Sequence, residues 1–332
     1  MLLLTPSHDP RIRNRKRRSA WRPSPARQGL VALALVLSLI AVSCSTDSSG
    51  DGGGDDPLTI VATTSIWADV AAAVAGDDAT VEVLVPRGAD PHGYQPSSRD
   101  VARLQSADLV IANGLGLEEG LSDVLDAAAA EGVTVVELAP LLDPLPFVED
   151  GVVGDDPHVW MDPLRVAAGA GVIADSLLSI DPSRPWEGRA EAYAAELSAA
   201  DDTIVAILDA VPGDRRVMVT NHDAFGYFAY RYDFTILGVV IPGGSTLSDP
   251  SSAELAALVS DMTDAGVTVI FAETSSPTTL ADAVASELGT DVSVVSLVTG
   301  SLGAEGSPTA TLIGLLSTNA EAIASALSAT SR

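Results

Sequence analysis

Between residues 58 and 138, short apolar runs alternate with longer stretches in which apolar positions recur every three or four residues. "LTIVATT" (58–64) is a continuous apolar run closed by threonines, the pattern of a strand buried on both faces. The amphipathic "SIWADVAAAVAG" that follows predicts a helix capped by Ser65. "TVEVLVP" (80–86), "DLVIANG" (108–114) and "VTVVEL" (133–138) predict three more strands, with helices over "SSRDVARLQSA" and "LSDVLDAAAAEG" between them. Strands and helices alternating at this spacing make β-α-β units and a parallel sheet.

The alternation then stops for about fifty residues by the same periodicity reading. "PLRVAAGAGVIADSLLSI" (163–180) and the stretch 183–211 read as helices, separated by Asp181-Pro182 and Pro185. Strands return at 215–221, 234–240, 267–273 and 291–297, with helices between them and a last helix over roughly 308–328. The expected fold is α/β: two Rossmann-like lobes, 58–182 and 213–332, joined by a long helix over 183–212.

The first 57 residues follow other rules. Eight of the 18 basic residues fall in the first 28 positions and run into "LVALALVLSLIAVSC" (30–44). That apolar segment is short for a membrane span and has the length of a signal-peptide core. It ends in small residues before Cys44, the only cysteine, which resembles a relaxed lipoprotein box. We therefore expect a signal peptide over 1–44, a lipid on Cys44, and a polar, glycine-rich tether over 45–57. The protein is then exported and anchored on the outer face of the cytoplasmic membrane, or periplasmic, with no internal disulfide. From Ser45 onward there are 10 basic against 44 acidic residues and no lysine. Such a surface speaks against nucleic acid as a partner and is compatible with a cation ligand.

Only four histidines occur in the chain, and one of them, His8, lies in the signal region. His92 and His158 each follow Asp-Pro, in "DPHGYQPSSRD" and "DPHVWMDP", and His222 directly follows a predicted strand. All three fall in loops leaving strands, where ligands collect in open α/β sheets. Asp90, Asp156, Asn221 and Asp223 supply groups able to orient an imidazole through its second nitrogen. Pro91 and Pro157 stiffen the two approaches. Imidazole donors suit zinc, copper, nickel and iron, whereas manganese sites lean towards oxygen.

"PRGADPHGYQPSSRD", "DPHVWMDP" and "NHDAFGYFAYRY" (221–232) resemble, in order and spacing, three motifs of the solute-binding proteins of zinc and manganese ABC transporters. "GVVIPGGSTLSDPSSAELAAL" (238–258) and "SLGAEGSPTATLIGLLSTN" (301–319) are similar to that family's C-terminal lobe, so the resemblance runs from about Leu58 to Leu327. It implies a bilobed fold with a rigid backbone helix, and a metal in the cleft held by His92 and His158 from one lobe and His222 from the other. Manganese-preferring members usually carry Glu at the third position, so His222 favours zinc. Two departures stand out. Where the family often has a ligating Asp, the chain has Gly300, which leaves the fourth position to water or to Glu273. The histidine-rich loop of many zinc members is replaced by the acidic "LPFVEDGVVGDD", whose Glu149, Asp150, Asp155 and Asp156 form at most a weak electrostatic funnel.

The expected function is capture of Zn²⁺ outside the membrane by a monomeric binding protein and its delivery to an ABC permease with its ATPase. Manganese or iron is the alternative ion. A three-histidine zinc hydrolase is the remote alternative, opposed by the lack of an "HExxH" motif or a nucleophile elbow. An adhesin or a metal buffer without a transporter stays open at this point. Protonation of the ligands is expected to weaken binding below about pH 6, near the unperturbed histidine pKa.

Overall fold

The computed structural model of the protein describes residues 57–149, 152–289 and 291–329. The predicted signal peptide, Cys44 and all but the last residue of the tether lie outside the described residues, as does Asp150.

The first lobe runs β1 (Leu58–Ala62), α1 (Ser65–Ala75), β2 (Ala79–Val83), α2 (Ser98–Gln105), β3 (Leu109–Ala112), α3 (Ser122–Ala130) and β4 (Thr134–Glu137). Its four strands are all parallel, in the order β2-β1-β3-β4. Helix α1 differs from expectation at its start. The N-cap is Thr64, whose hydroxyl accepts from the Trp67 N–H, and Ser65 is the first helical residue with its side chain used elsewhere.

A hairpin that the periodicity does not announce comes next. β5 (Pro146–Glu149) pairs antiparallel with β6 (Val152–Asp155). In the sequence, Asp150-Gly151 is a dipeptide that favours a tight hairpin turn. The flanking strands are too short for alternation to register.

Helices α4 (Pro163–Ile180) and α5 (Trp186–Leu208) then pack along each other. Asp162 caps α4 through the Leu164 N–H, and Pro182 and Pro185 prevent the two from merging. At 23 residues, α5 is about 35 Å long. Its buried positions, Trp186, Ala190, Tyr193, Leu197, Ala200, Asp201, Ile204 and Leu208, keep helical spacing over that length.

The second lobe repeats the first: β7 (Val217–Thr220), α6 (Gly226–Tyr232), β8 (Thr235–Val239), α7 (Ser252–Ala265), β9 (Val269–Glu273), α8 (Thr279–Leu288), β10 (Ser293–Leu297) and α9 (Leu312–Ala329). Its parallel order, β10-β9-β7-β8, is the same topology with each strand number raised by six.

Alternate residues of each central strand serve different cores, as the two-residue period of a strand requires. Ile60, Leu109, Ile111, Val269 and Phe271 enter one cluster built around α1, α4, α5, α6 and α9. Val61, Val110 and Ala112 face the outer helices of the first lobe, and Ile270 and Ala272 those of the second. The main core is therefore continuous from one lobe to the other. Helix α5 touches α1, α4 and α9, so both lobes rest on the same spine.

Candidate metal centre

In each sheet the chain turns back at one point, between β1 and β3 and again between β7 and β9. Crevices beyond such points are where α/β sheets bind ligands. In the second lobe, His222 stands two residues after β7 and Glu273 is the last residue of β9, so the pair flanks the crevice. In the first lobe the corresponding corner is closed by a buried carboxylate. Glu118 accepts from the Thr63 hydroxyl and, at 2.9 Å, from the Asn113 N–H. Burial raises its pKa. Asn113, fixed in this way, donates from its side chain to the Pro157 carbonyl at 2.9 Å and accepts from Trp67 Nε1 at 2.8 Å. The residue just before His158 is thus tied to the first sheet.

The two Asp-Pro-His segments share a local geometry. Asp90 Oδ1 accepts from the His92 N–H at 3.0 Å, and Asp156 Oδ1 from the His158 N–H at 2.9 Å. Each Asp folds over its proline to bond the backbone two residues on, the habit of Asx turns. Asp156 goes further: its Oδ1 also lies 2.8 Å from His158 Nδ1. Its other oxygen packs where Gly226 has no side chain; a methyl there would stand 2.7 Å from Asp156 Oδ2. The Asp156 carbonyl accepts from Tyr227 OH at 2.6 Å, so helix α6 of the second lobe helps to hold this residue of the first.

All three histidines are buried, and the structure brings them together. Ring centroids are 5.6 Å apart for His92–His158 and His92–His222, and 5.1 Å for His158–His222. One nitrogen from each ring falls within 4.8 Å of the others, and the Nε2 atoms of His158 and His222 are 3.2 Å apart. Trp160 packs edge-on against His158, with centroids 5.2 Å apart, and its Nε1 donates to the Thr299 carbonyl at 3.1 Å. Glu273 Oε1 sits against His222 Nδ1, and its Oε2 accepts from Ser275 Oγ at 3.3 Å.

Of the four proposed orienting groups, only Asp156 meets a ring. Asp90 bonds backbone, Asn221 donates to Ser276 Oγ, and the carboxylate that faces His222 is Glu273. Asp223 is pushed up to about 6, chiefly by burial and then by the Asp156 charge. The suggested acidic funnel loses Asp156, which is buried and engaged with His158. Gly300 approaches the site from the second lobe, close to Pro91 and Ser275. Trp160, Tyr227 and Gly226 were not singled out by sequence, although all three lie within five residues of a histidine.

Burial sets the protonation. His92 is lowered from the ordinary histidine range to about 3, mainly by burial and then by the neighbouring His158. His222 falls well below its ordinary value for the same leading reason. A neutral imidazole is the state in which a histidine donates to a metal, and of these two only His222 has a carboxylate, Glu273, against its far nitrogen. No carboxylate oxygen joins the three nitrogens among the described residues.

Residues 60–326 match the family model described as zinc-uptake complex component A, periplasmic. The chain is 33% identical to the manganese-binding lipoprotein MntA of Bacillus subtilis over 315 residues, covering 91% of this chain and 99% of that one. It is 30% identical to the lipoprotein of the same name from Halalkalibacterium halodurans, over 89% of this chain and 96% of that one. Among solved structures, the periplasmic zinc-binding protein TroA of Treponema pallidum superposes with a TM-score of 0.75 at 29% identity, over 82% of this chain and 99% of the other.

Proposed function

Because the chain belongs to the family of metal-binding substrate-binding proteins of ABC transporters, we propose that the ion it captures is Zn²⁺ and that His92, His158 and His222 are the protein ligands. Its work is done outside the cytoplasm, its partners are a membrane permease and that permease's ATPase, and it is not an enzyme. The three-histidine hydrolase reading falls with the family.

The observation that carries the choice of zinc is the donor set. Three buried imidazoles, two of them held neutral by burial, converge with no carboxylate among them in the described residues. Nitrogen donors of this kind suit zinc better than manganese, which leans towards oxygen. Manganese is the second reading, favoured by the names of the two lipoproteins above. In this reading Glu273, which sits against His222 Nδ1, orients that ring and the fourth position is left to water. Gly300 offers no donor there.

The same reading takes residues 1–44 as a signal peptide, Cys44 as the lipid anchor and 45–57 as a tether. It takes 58–182 and 213–332 as the lobes, 183–212 as the helix between them, and the protein as a monomer. Metal content and competition between Zn²⁺ and Mn²⁺, measured on protein purified without a histidine tag, test the central claim. One equivalent of zinc that manganese cannot displace, lost in His222→Ala, is the expected outcome. Manganese preference, or indifference to His222, refutes it.

A further inference from the structure

His92 belongs to the first lobe by sequence, yet the loop that carries it is held from the second. Arg87 donates to the carbonyls of Gly303 at 3.2 Å and Ala310 at 2.8 Å. The Gly88 N–H donates to Ser301 Oγ at 2.8 Å, and Asp90 Oδ2 accepts from the Thr246 hydroxyl. Pro91 lies against Gly300 so closely that a methyl at 300 would stand 3.2 Å from the proline Cδ. From Tyr94 onward the attachment changes sides: the Tyr94 hydroxyl donates to Asp100 Oδ2, and the Tyr94 carbonyl packs on Gly120.

The seat itself is anchored. Ser301 is buried, its hydroxyl lies 3.1 Å from Ser65 Oγ, and Ser65 accepts from the Leu302 N–H at 2.9 Å. This is why Ser65 is not the cap of α1. A two-serine bridge therefore runs from the start of the first-lobe helix, through Ser301, to the backbone of the His92 loop.

We propose that residues 300–303, with Ser301 at their centre and Arg87 reaching them from the loop, form a seat for the His92 loop and set how fast a bound metal escapes. Ser301 and Arg87 are positioning residues that act through residues 88–91 on His92. The absent side chain at Gly300 gives Pro91 its place, so this segment contributes packing where a longer side chain would intrude. To release the ion, the loop must leave the seat, breaking the Gly88–Ser301 and Arg87–carbonyl bonds together. The inference rests on His92 being a metal ligand, as proposed above.

The test uses Ser301→Ala and Arg87→Gln, with Met262→Ala as the control. Met262 is buried in the second lobe's outer core, so its loss destabilises the fold without touching the loop. Zinc dissociation into excess chelator is followed by stopped flow, and amide exchange of residues 87–93 is measured in the metal-free protein. Each loop variant is expected to release zinc about tenfold faster, the scale of one lost hydrogen bond, and to exchange faster at Gly88. Met262→Ala is expected to melt earlier and release zinc at the wild-type rate. Wild-type release from both loop variants, or equal acceleration by Met262→Ala, overturns the proposal. A wild-type protein that holds no zinc counts against the zinc reading instead. Exchange then decides the seat, and unchanged protection in both loop variants overturns it.

Discussion

The Nε2 atoms of His158 and His222 stand 3.2 Å apart while Asp156 and Glu273 occupy the opposite nitrogen of each ring. A carboxylate on Nδ1 draws the proton there and leaves Nε2 as a bare lone pair. Two such lone pairs facing each other repel unless a cation lies between them. Two imidazoles on one tetrahedral zinc, at about 2.0–2.1 Å from the ion, would have nitrogens about 3.3 Å apart. The rings already stand at that spacing, so ion entry requires little movement of this pair.

His158→Ala and His222→Ala are each expected to lower zinc affinity by more than about 100-fold, beyond the 10–100-fold typical of residues that only orient a ligand. Both variants should remain folded, because each removes a polar ring from a site where polar neighbours can rehydrate. Competition against a zinc chelator, read beside circular dichroism, checks this. Affinity within tenfold of wild type in either variant would remove that histidine from the site.

Glu273 separates orientation from ligation. As the group that faces His222 Nδ1, it needs only an acceptor oxygen, which Gln also supplies. Glu273→Gln should therefore keep zinc affinity within about tenfold, and Glu273→Ala should lose about 10–100-fold. Equal, large losses in both variants would instead make the carboxylate a ligand.

Gly226 begins α6 and carries no charge or donor beyond its backbone, yet it bears on the site. A methyl at that position would meet Asp156 Oδ2 at 2.7 Å, and the carboxylate would have to swing from His158. Gly226→Ala is expected to destabilise the fold by about 1–3 kcal/mol, the usual cost of overpacking, and to weaken zinc binding by about 10–100-fold through the lost His158 orientation. Denaturant melts and zinc titrations read the two effects separately. Unchanged binding would show that Asp156 does not set the ring.

The two parallel sheets were legible because their central strands, above all β3 and β9, are buried on both faces and so read as unbroken apolar runs, as "DLVIANG" does. The histidines were legible because the chain has so few. What sequence spacing could not supply was orientation. Asp90 and Asp156 sit in identical Asp-Pro-His contexts, yet only Asp156 reaches a ring. Glu273 is 51 positions from the histidine it faces and comes to it only because β7 and β9 are neighbours in the sheet. The loop seat was hidden for the same reason, since Gly88 and Ser301 meet across 213 positions.

Burial also alters the pH dependence that the histidines' ordinary chemistry suggests. His92 in the folded protein titrates near 3 and His222 well below its ordinary value, whereas in the unfolded chain both titrate near 6.5. Below pH 6.5 the unfolded chain takes up protons that the folded one refuses. The stability these groups contribute is thus present above that pH and lost as pH falls towards 3, at up to about 1.4 kcal/mol per pH unit for each histidine. Zinc binding responds differently, because a proton competes with the metal only where the folded site accepts it. At ordinary pKa values, His92 and His222 would each cost about 25-fold in affinity between pH 7 and pH 5, several hundredfold together. With both held neutral by burial, neither is expected to contribute that loss, so affinity should fall far less than several hundredfold over the interval. Denaturant melts of metal-free protein and zinc competition, each at pH 7, 6 and 5, check the pair of effects. A several-hundredfold loss of affinity by pH 5, with stability unchanged, would mean that the site is open to water before the ion arrives.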